Sequence, residues 1–149
     1  MKVEILKSID EKSVSQIGIL LNKLDSKAQS PDFSRLDFLV NHSDFTLFVA
    51  YDDTDIVGML SLTCCHTLSC SKFWIEDVIV DDLCRGKGVG RALVKAAVNH
   101  VRSLDDNSLI YLTSNPSRIS ARALYRSEGF EEYETGVFRM KKQVMPDPV

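Results

Sequence analysis

Three glycines fall within five positions of LCRGKGVGRALV (83–94), between an apolar run and a segment with helical spacing. Gly86, Gly88 and Gly90 stand among Arg85, Lys87 and Arg91. Glycine permits positive φ and close approach of the backbone to another group. A helix start adds unpaired N–H groups and the positive end of the macrodipole. Together these features make a bed for a phosphorylated ligand. The run before it, KFWIEDVIV (72–80), is rich in β-branched and aromatic residues, the pattern of a central strand covered on both faces. A strand, a short turn and a glycine-led helix restrict the chain to a layered α/β fold.

Apolar periodicity places the remaining elements around this unit. Residues 2–9 (KVEILKSI) alternate as a strand, and Val14, Ile17, Leu20, Leu21 and Leu24 recur at helical spacing within 11–28. The small polar residues and proline of SKAQSPDFS (26–34) mark a loop. A short helix follows, with Phe33, Leu36 and Leu39 or Val40 on one face. TLFVAY (46–51), the turn DDTD (52–55) and IVGMLSLTCC (56–65) form a hairpin. After the glycines, Val89, Leu93, Ala97 and Val101 repeat every four residues in a third helix. LIYLTS (109–114) is a further strand, and 118–128 a fourth helix closed by Gly129. FEEYETGVFRMKK (130–142) is expected to add a last pair of strands around Gly136. Residues 1–143 read as one domain and 144–149 (VMPDPV) as a disordered tail.

Composition removes several function classes. A net charge of −3 and a pI near 5.6 argue against a general nucleic-acid binder. No run approaches the roughly 20 apolar residues of a membrane span, and MKVEILKSIDEK lacks the apolar core of a secretory signal. A cytoplasmic location with no membrane partner is the expectation. Cys64, Cys65, His66 and Cys70 are the only zinc set available, and they lack the paired C-x₂-C spacing of a metal site. These thiols and Cys84 read as small buried side chains of a cytosolic protein, with no metal.

Two nucleotide motifs fail against the glycines. A P-loop needs Ser or Thr after Gly-Lys, and Gly88 follows Gly86-Lys87. A dinucleotide fingerprint needs a third glycine at 91 or 93, where Arg91 and Leu93 stand.

Arg85-x-x-Gly88-x-Gly90 instead resembles the acyl-CoA signature R/Q-x-x-G-x-G/A of the Gcn5-related N-acetyltransferase (GNAT) superfamily. SNPSRISARALYRSEGFE (114–131) resembles the family's following motif, in a subgroup form with Asn115, Arg118, Ala121, Leu124 and Tyr125. The resemblance implies a mixed sheet of six to seven strands flanked by about four helices and splayed between the fourth and fifth strands. It implies that backbone N–H groups from Gly86, Lys87, Gly88, Val89, Gly90 and Arg91 hold the pyrophosphate of coenzyme A. Arg85, Lys87 and Arg91 would add charge, and a side chain at 88 or 90 would push the phosphates away. The main chain of Val78, Ile79 and Val80 would pair with the pantetheine arm, with a donor near 78 polarising the thioester. Asn115 and Arg118 belong to the same coenzyme site, and Ala121 leaves room for pantetheine. Tyr125 would protonate the departing thiolate.

The implied chemistry is direct transfer of the acetyl group of acetyl-CoA to a primary amine, which must first lose a proton. Glu76 and Asp77 are the candidates for that work. Strand alternation sends them to opposite faces, and Glu76 acting through a water is the expected base. A structural ion pair with Arg or Lys is the alternative for it. Arg122 and Arg126 read as a solvated face balanced by Glu128, Glu131 and Glu132. Cys84 lies beside the phosphate bed and not at the acyl end, so it is not the nucleophile, and the histidines show no relay spacing. The acceptor is expected to be a small-molecule amine, for a monomer or homodimer. A protein N-terminus or lysine as acceptor, or a non-catalytic acyl-CoA sensor, remain alternatives.

Overall fold

A computed structural model describes residues 1–104 and 108–141. Two helices and four strands precede the glycine loop in an order set by local signals. Strand β1 (Lys2–Ile5) leads to helix α1 (Glu11–Leu24). There Asp10 caps the helix: its carboxylate accepts from Ser13 N at 2.7 Å, and Ser13 Oγ accepts from Asp10 N at 2.8 Å. Helix α2 (Phe33–Val40) starts in the same way, with Asp32 accepting from Arg35 N at 2.7 Å. Strands β2 (Phe45–Asp52) and β3 (Asp55–His66) meet at a two-residue turn, where Asp53 adopts a φ of 55°. Aspartate tolerates that conformation better than most residues, so DDTD is a working turn sequence.

Strand β4 (Ser71–Val80), a 3₁₀ turn (Asp82–Cys84), helix α3 (Val89–Leu104), strand β5 (Leu109–Leu112) and helix α4 (Ile119–Ser127) complete the order. The sheet runs β1-β2-β3-β4-β5, antiparallel except for the parallel β4–β5 pair. Its two faces carry separate cores. Ile17 and Leu20 of α1 and Leu36 of α2 cover Leu47, Val49, Met59 and Ile79 on one face. Val89, Leu93, Val94, Ala97 and Val101 of α3 cover Phe48, Leu60, Leu62 and Ile75 on the other. The predicted α3 stripe is thus the buried one, with Leu93 and Ala97 fully covered.

The strand count differs from expectation. The described residues form five strands, and the predicted pair around Gly136 is absent. Residues 131–141 lack regular structure and expose Val137, Phe138 and Met140. Their apolar residues find no covered face to alternate against, so strand propensity there has nothing to pack on. The tail 144–149 lies outside the described residues. No helix among the described residues is long and apolar enough to cross a membrane.

Candidate active site

Strand β4 parts from β5 half-way along. Pairing runs from Lys72 opposite Leu109 to Ile75 opposite Leu112, and β4 continues to Val80 without a partner on that side. This is the expected splay. Two guanidinium groups donate to the carbonyls of the unpaired stretch: Arg118 Nη2 to Val78 O at 3.3 Å, and Arg85 Nε to Val80 O at 3.4 Å. Ile79 between them is held against Met59 of β3 and buried in the α1 core.

The glycine loop follows directly. Gly86 and Gly88 take φ values of 74° and 82°, and Gly88 O accepts from Ala92 N at 3.0 Å to open α3. Among the described residues nothing outside the helix accepts from the N–H groups of Gly86 to Arg91. Val89 is buried and anchors the helix start. At Gly90 a Cβ would meet Leu124 Cδ2 at 3.3 Å and Val80 Cγ2 at 3.7 Å, so its smallness also serves the α3–α4 approach. Of the three basic side chains, Arg85 pairs with Asp82 at 2.9 Å and Arg91 with Glu128 at 3.0 Å. Lys87 is exposed and has no acidic partner among the described residues.

Helix α4 faces this gap from the other side. Tyr125 is 5% exposed within the α3 core, with Ala121 one turn earlier packed on the same cluster. Burial raises the pKa of its phenol, opposed by the positive charge of Arg118. Asn115 does not reach the gap with its side chain. Its Oδ1 accepts from Ser117 N at 2.9 Å and Ser117 Oγ at 2.8 Å, a turn that sets up α4. Arg122 and Arg126 both bind Glu132, as expected of a solvated balanced face.

Residues 43–132 match a family model described as an acetyltransferase (GNAT) domain. The chain belongs to this family. The spermine/spermidine N(1)-acetyltransferase of Bacillus subtilis (strain 168) is 28% identical over 93 residues, 62% of this chain and 53% of that protein. The match therefore spans about half the length of that curated relative. The structure of an aminoglycoside acetyltransferase from an uncultured soil metagenomic sample, in complex with sisomicin, superposes with a TM-score of 0.81. That alignment covers 95% of this chain and 96% of the other at 22% identity. Glucosamine-6-phosphate N-acetyltransferase from Arabidopsis thaliana aligns over 97% of this chain and all of the other, with a TM-score of 0.72 and 21% identity. These structures establish the shared GNAT fold.

Toward the α1–α2 face of this GNAT sheet, β4 carries a bulge that the alternation argument missed. Met59 pairs with Ile79 and Ser61 with Glu76, which leaves Leu60 opposite both Asp77 and Val78. Asp77 takes a φ of 50°, and Ile75 and Val78 both pack toward α3. The expectation that Glu76 and Asp77 face opposite sides is therefore corrected. Ser61, 1% exposed, pairs with Glu76 in the ladder and donates to Asp77 Oδ2 at 2.6 Å, so both carboxylates attend the α1–α2 face. Burial pushes the pKa of Glu76 up, and the charge of Asp77 adds to the rise. Glu76 has no basic partner among the described residues, so the structural ion pair is not formed.

Asp77 also lines a cavity of about 430 Å³ that the sequence did not announce. Its walls come from α1, the 29–32 loop, α2 and the sheet. The apolar residues forming it are spread over five segments, which periodicity assigns only to core. At the other end of β3, Asp44, Cys64 and His66 gather without Cys65 or Cys70. His66 bonds Asp44 and Ser71, each at 3.1 Å, which accounts for the grouping. All four cysteines are free, and the expectation of buried thiols holds for Cys84 alone. Cys65 is exposed and Cys64 and Cys70 are half-buried, at the end of β3 and just before β4, beyond the reach of the helices.

Proposed function

We propose that the chain is an N-acetyltransferase that moves the acetyl group of acetyl-CoA to the primary amine of a small molecule. The observation that carries this is a strand left unpaired beside a row of free N–H groups. Val78 and Val80 offer main-chain acceptors where an amide-bearing arm would lie, and the loop from Gly86 to Arg91 offers donors where a pyrophosphate would lie. A pantetheine arm entering the gap takes over the Val78 carbonyl from Arg118, freeing that cation for phosphate. The coenzyme supplies an activated acyl group as a thioester.

Glu76 takes the proton of the incoming ammonium through a water, its raised pKa making it a stronger base than an ordinary carboxylate. Asp77, pinned by Ser61, holds the amine beside it. The amine nitrogen then bonds to the acetyl carbon while the carbon–sulfur bond breaks. Tyr125, kept neutral by burial, gives its proton to the sulfur and is reprotonated through water by the second proton that the acylated nitrogen sheds. No enzyme-bound acyl group forms. Free-thiol release from acetyl-CoA across a panel of amines tests this. Amine-dependent release is expected; tight coenzyme binding without release for any amine would replace the transferase with a sensing module.

A further inference from the structure

The cavity beside Asp77 is mostly greasy but charged at three places, Asp32, Arg35 and Asp77. Leu21, Leu36, Phe45, Leu47 and Met59 supply its walls. Asp77 lines it from the sheet and Arg35 from α2. Asp32 also borders it, but its carboxylate is committed to capping α2 through Arg35 N at 2.7 Å. Asp77 has only the Ser61 hydroxyl as a partner, and Arg35 has no carboxylate partner among the described residues. The Arg35 guanidinium rests instead 5.9 Å from the centre of the Phe38 ring. One uncommitted anion and the only cation of the lining thus share a cavity without pairing to each other.

A ligand that satisfies both must carry opposite charges held apart by apolar chain. We propose that the acceptor is a primary amine on an aliphatic chain ending in a carboxylate, the amine seated at Asp77 and the carboxylate at Arg35. This rests on the transferase reading and adds the acceptor class to it. A polyamine or an aminoglycoside brings several ammonium groups and no carboxylate, so it leaves the Arg35 guanidinium unpaired and repelling. The volume is of the size that holds one small ligand.

The test compares 6-aminohexanoate, hexylamine, spermidine and sisomicin by thiol release at equal acetyl-CoA. The expected kcat/KM is highest for 6-aminohexanoate, about tenfold above hexylamine, the worth of one charge-assisted hydrogen bond. Arg35→Gln is expected to abolish that ratio. A ratio is unaffected by loss of folded enzyme, so misfolding cannot mimic the result. Arg35→Lys should restore part of it. Spermidine or sisomicin turning over faster than 6-aminohexanoate, or a ratio unchanged by Arg35→Gln, would overturn the acceptor class and leave the transferase standing. Release with none of the four would overturn both.

Discussion

Replacing Gly88 by alanine separates the conformational demand of the loop from its packing. At a φ of 82° an L-residue is strained by about 1–2 kcal/mol. An added Cβ meets nothing within 4 Å, and residues 85–88 are all exposed. The free loop can therefore relax out of the strained conformation at little cost to the fold. The strain reappears when coenzyme A requires the original geometry, because the inward-facing N–H groups depend on it. Gly88→Ala should weaken coenzyme A binding about tenfold by calorimetry, with the melting temperature moving by less than about 3 °C. Gly90→Ala is the control. Its Cβ would press on Leu124, a flexible half-buried side chain, and so should leave coenzyme affinity within about twofold. Wild-type affinity in Gly88→Ala, or the larger affinity loss in Gly90→Ala, would refute the assignment of the positive-φ glycines to the phosphate bed.

Tyr125→Phe removes the proposed acid while keeping the buried ring, so kcat should fall at least about tenfold with coenzyme affinity nearly intact in the same calorimetric assay. Glu76 must be ionised to act, and its pKa is raised above the usual 4.5, so kcat/KM should decline on acidification at a higher pH than an ordinary glutamate would give. Glu76→Gln should remove that limb from the pH profile, whereas Asp77→Asn should keep the limb and raise KM for the amine. With the folded pKa raised, ionised Glu76 opposes folding above that pKa, so Glu76→Gln should also melt slightly higher at neutral pH. Leu93→Ala should cost about 2–5 kcal/mol, because Leu93 is fully buried at the centre of the α3 face, and this is read from denaturant midpoints.

Local signals in the sequence marked what local forces build. The DDTD turn and the four-residue stripe of α3 each act within a few residues, and each lies where the pattern placed it. The residues proposed for the coenzyme could be picked out for the same reason, since the glycines and Tyr125 sit in contiguous motifs. The bulge at Asp77 was not, because alternation assumes two residues per repeat, and an extra residue is visible only against the partner strand. The packing constraint on Gly90 was not legible either, because its crowding comes from Leu124, distant in sequence. The acceptor cavity needed the tertiary fold. The missing strands after Phe130 show the converse, since a segment with β-favouring Val137 and Phe138 stays irregular without a surface to cover it.

The parting of β4 from β5 also bears on how long the molecule survives. A sheet with an open wedge is one ladder short, and an extended amide-bearing arm is the piece that fits it. If that arm belongs to the coenzyme, the reactant is also a folding ligand, adding about 2.7 kcal/mol of stability at a hundredfold excess over its Kd. Abundance of the enzyme would then follow acetyl-CoA supply, with unliganded chains the first to be cleared by proteolysis when carbon runs short.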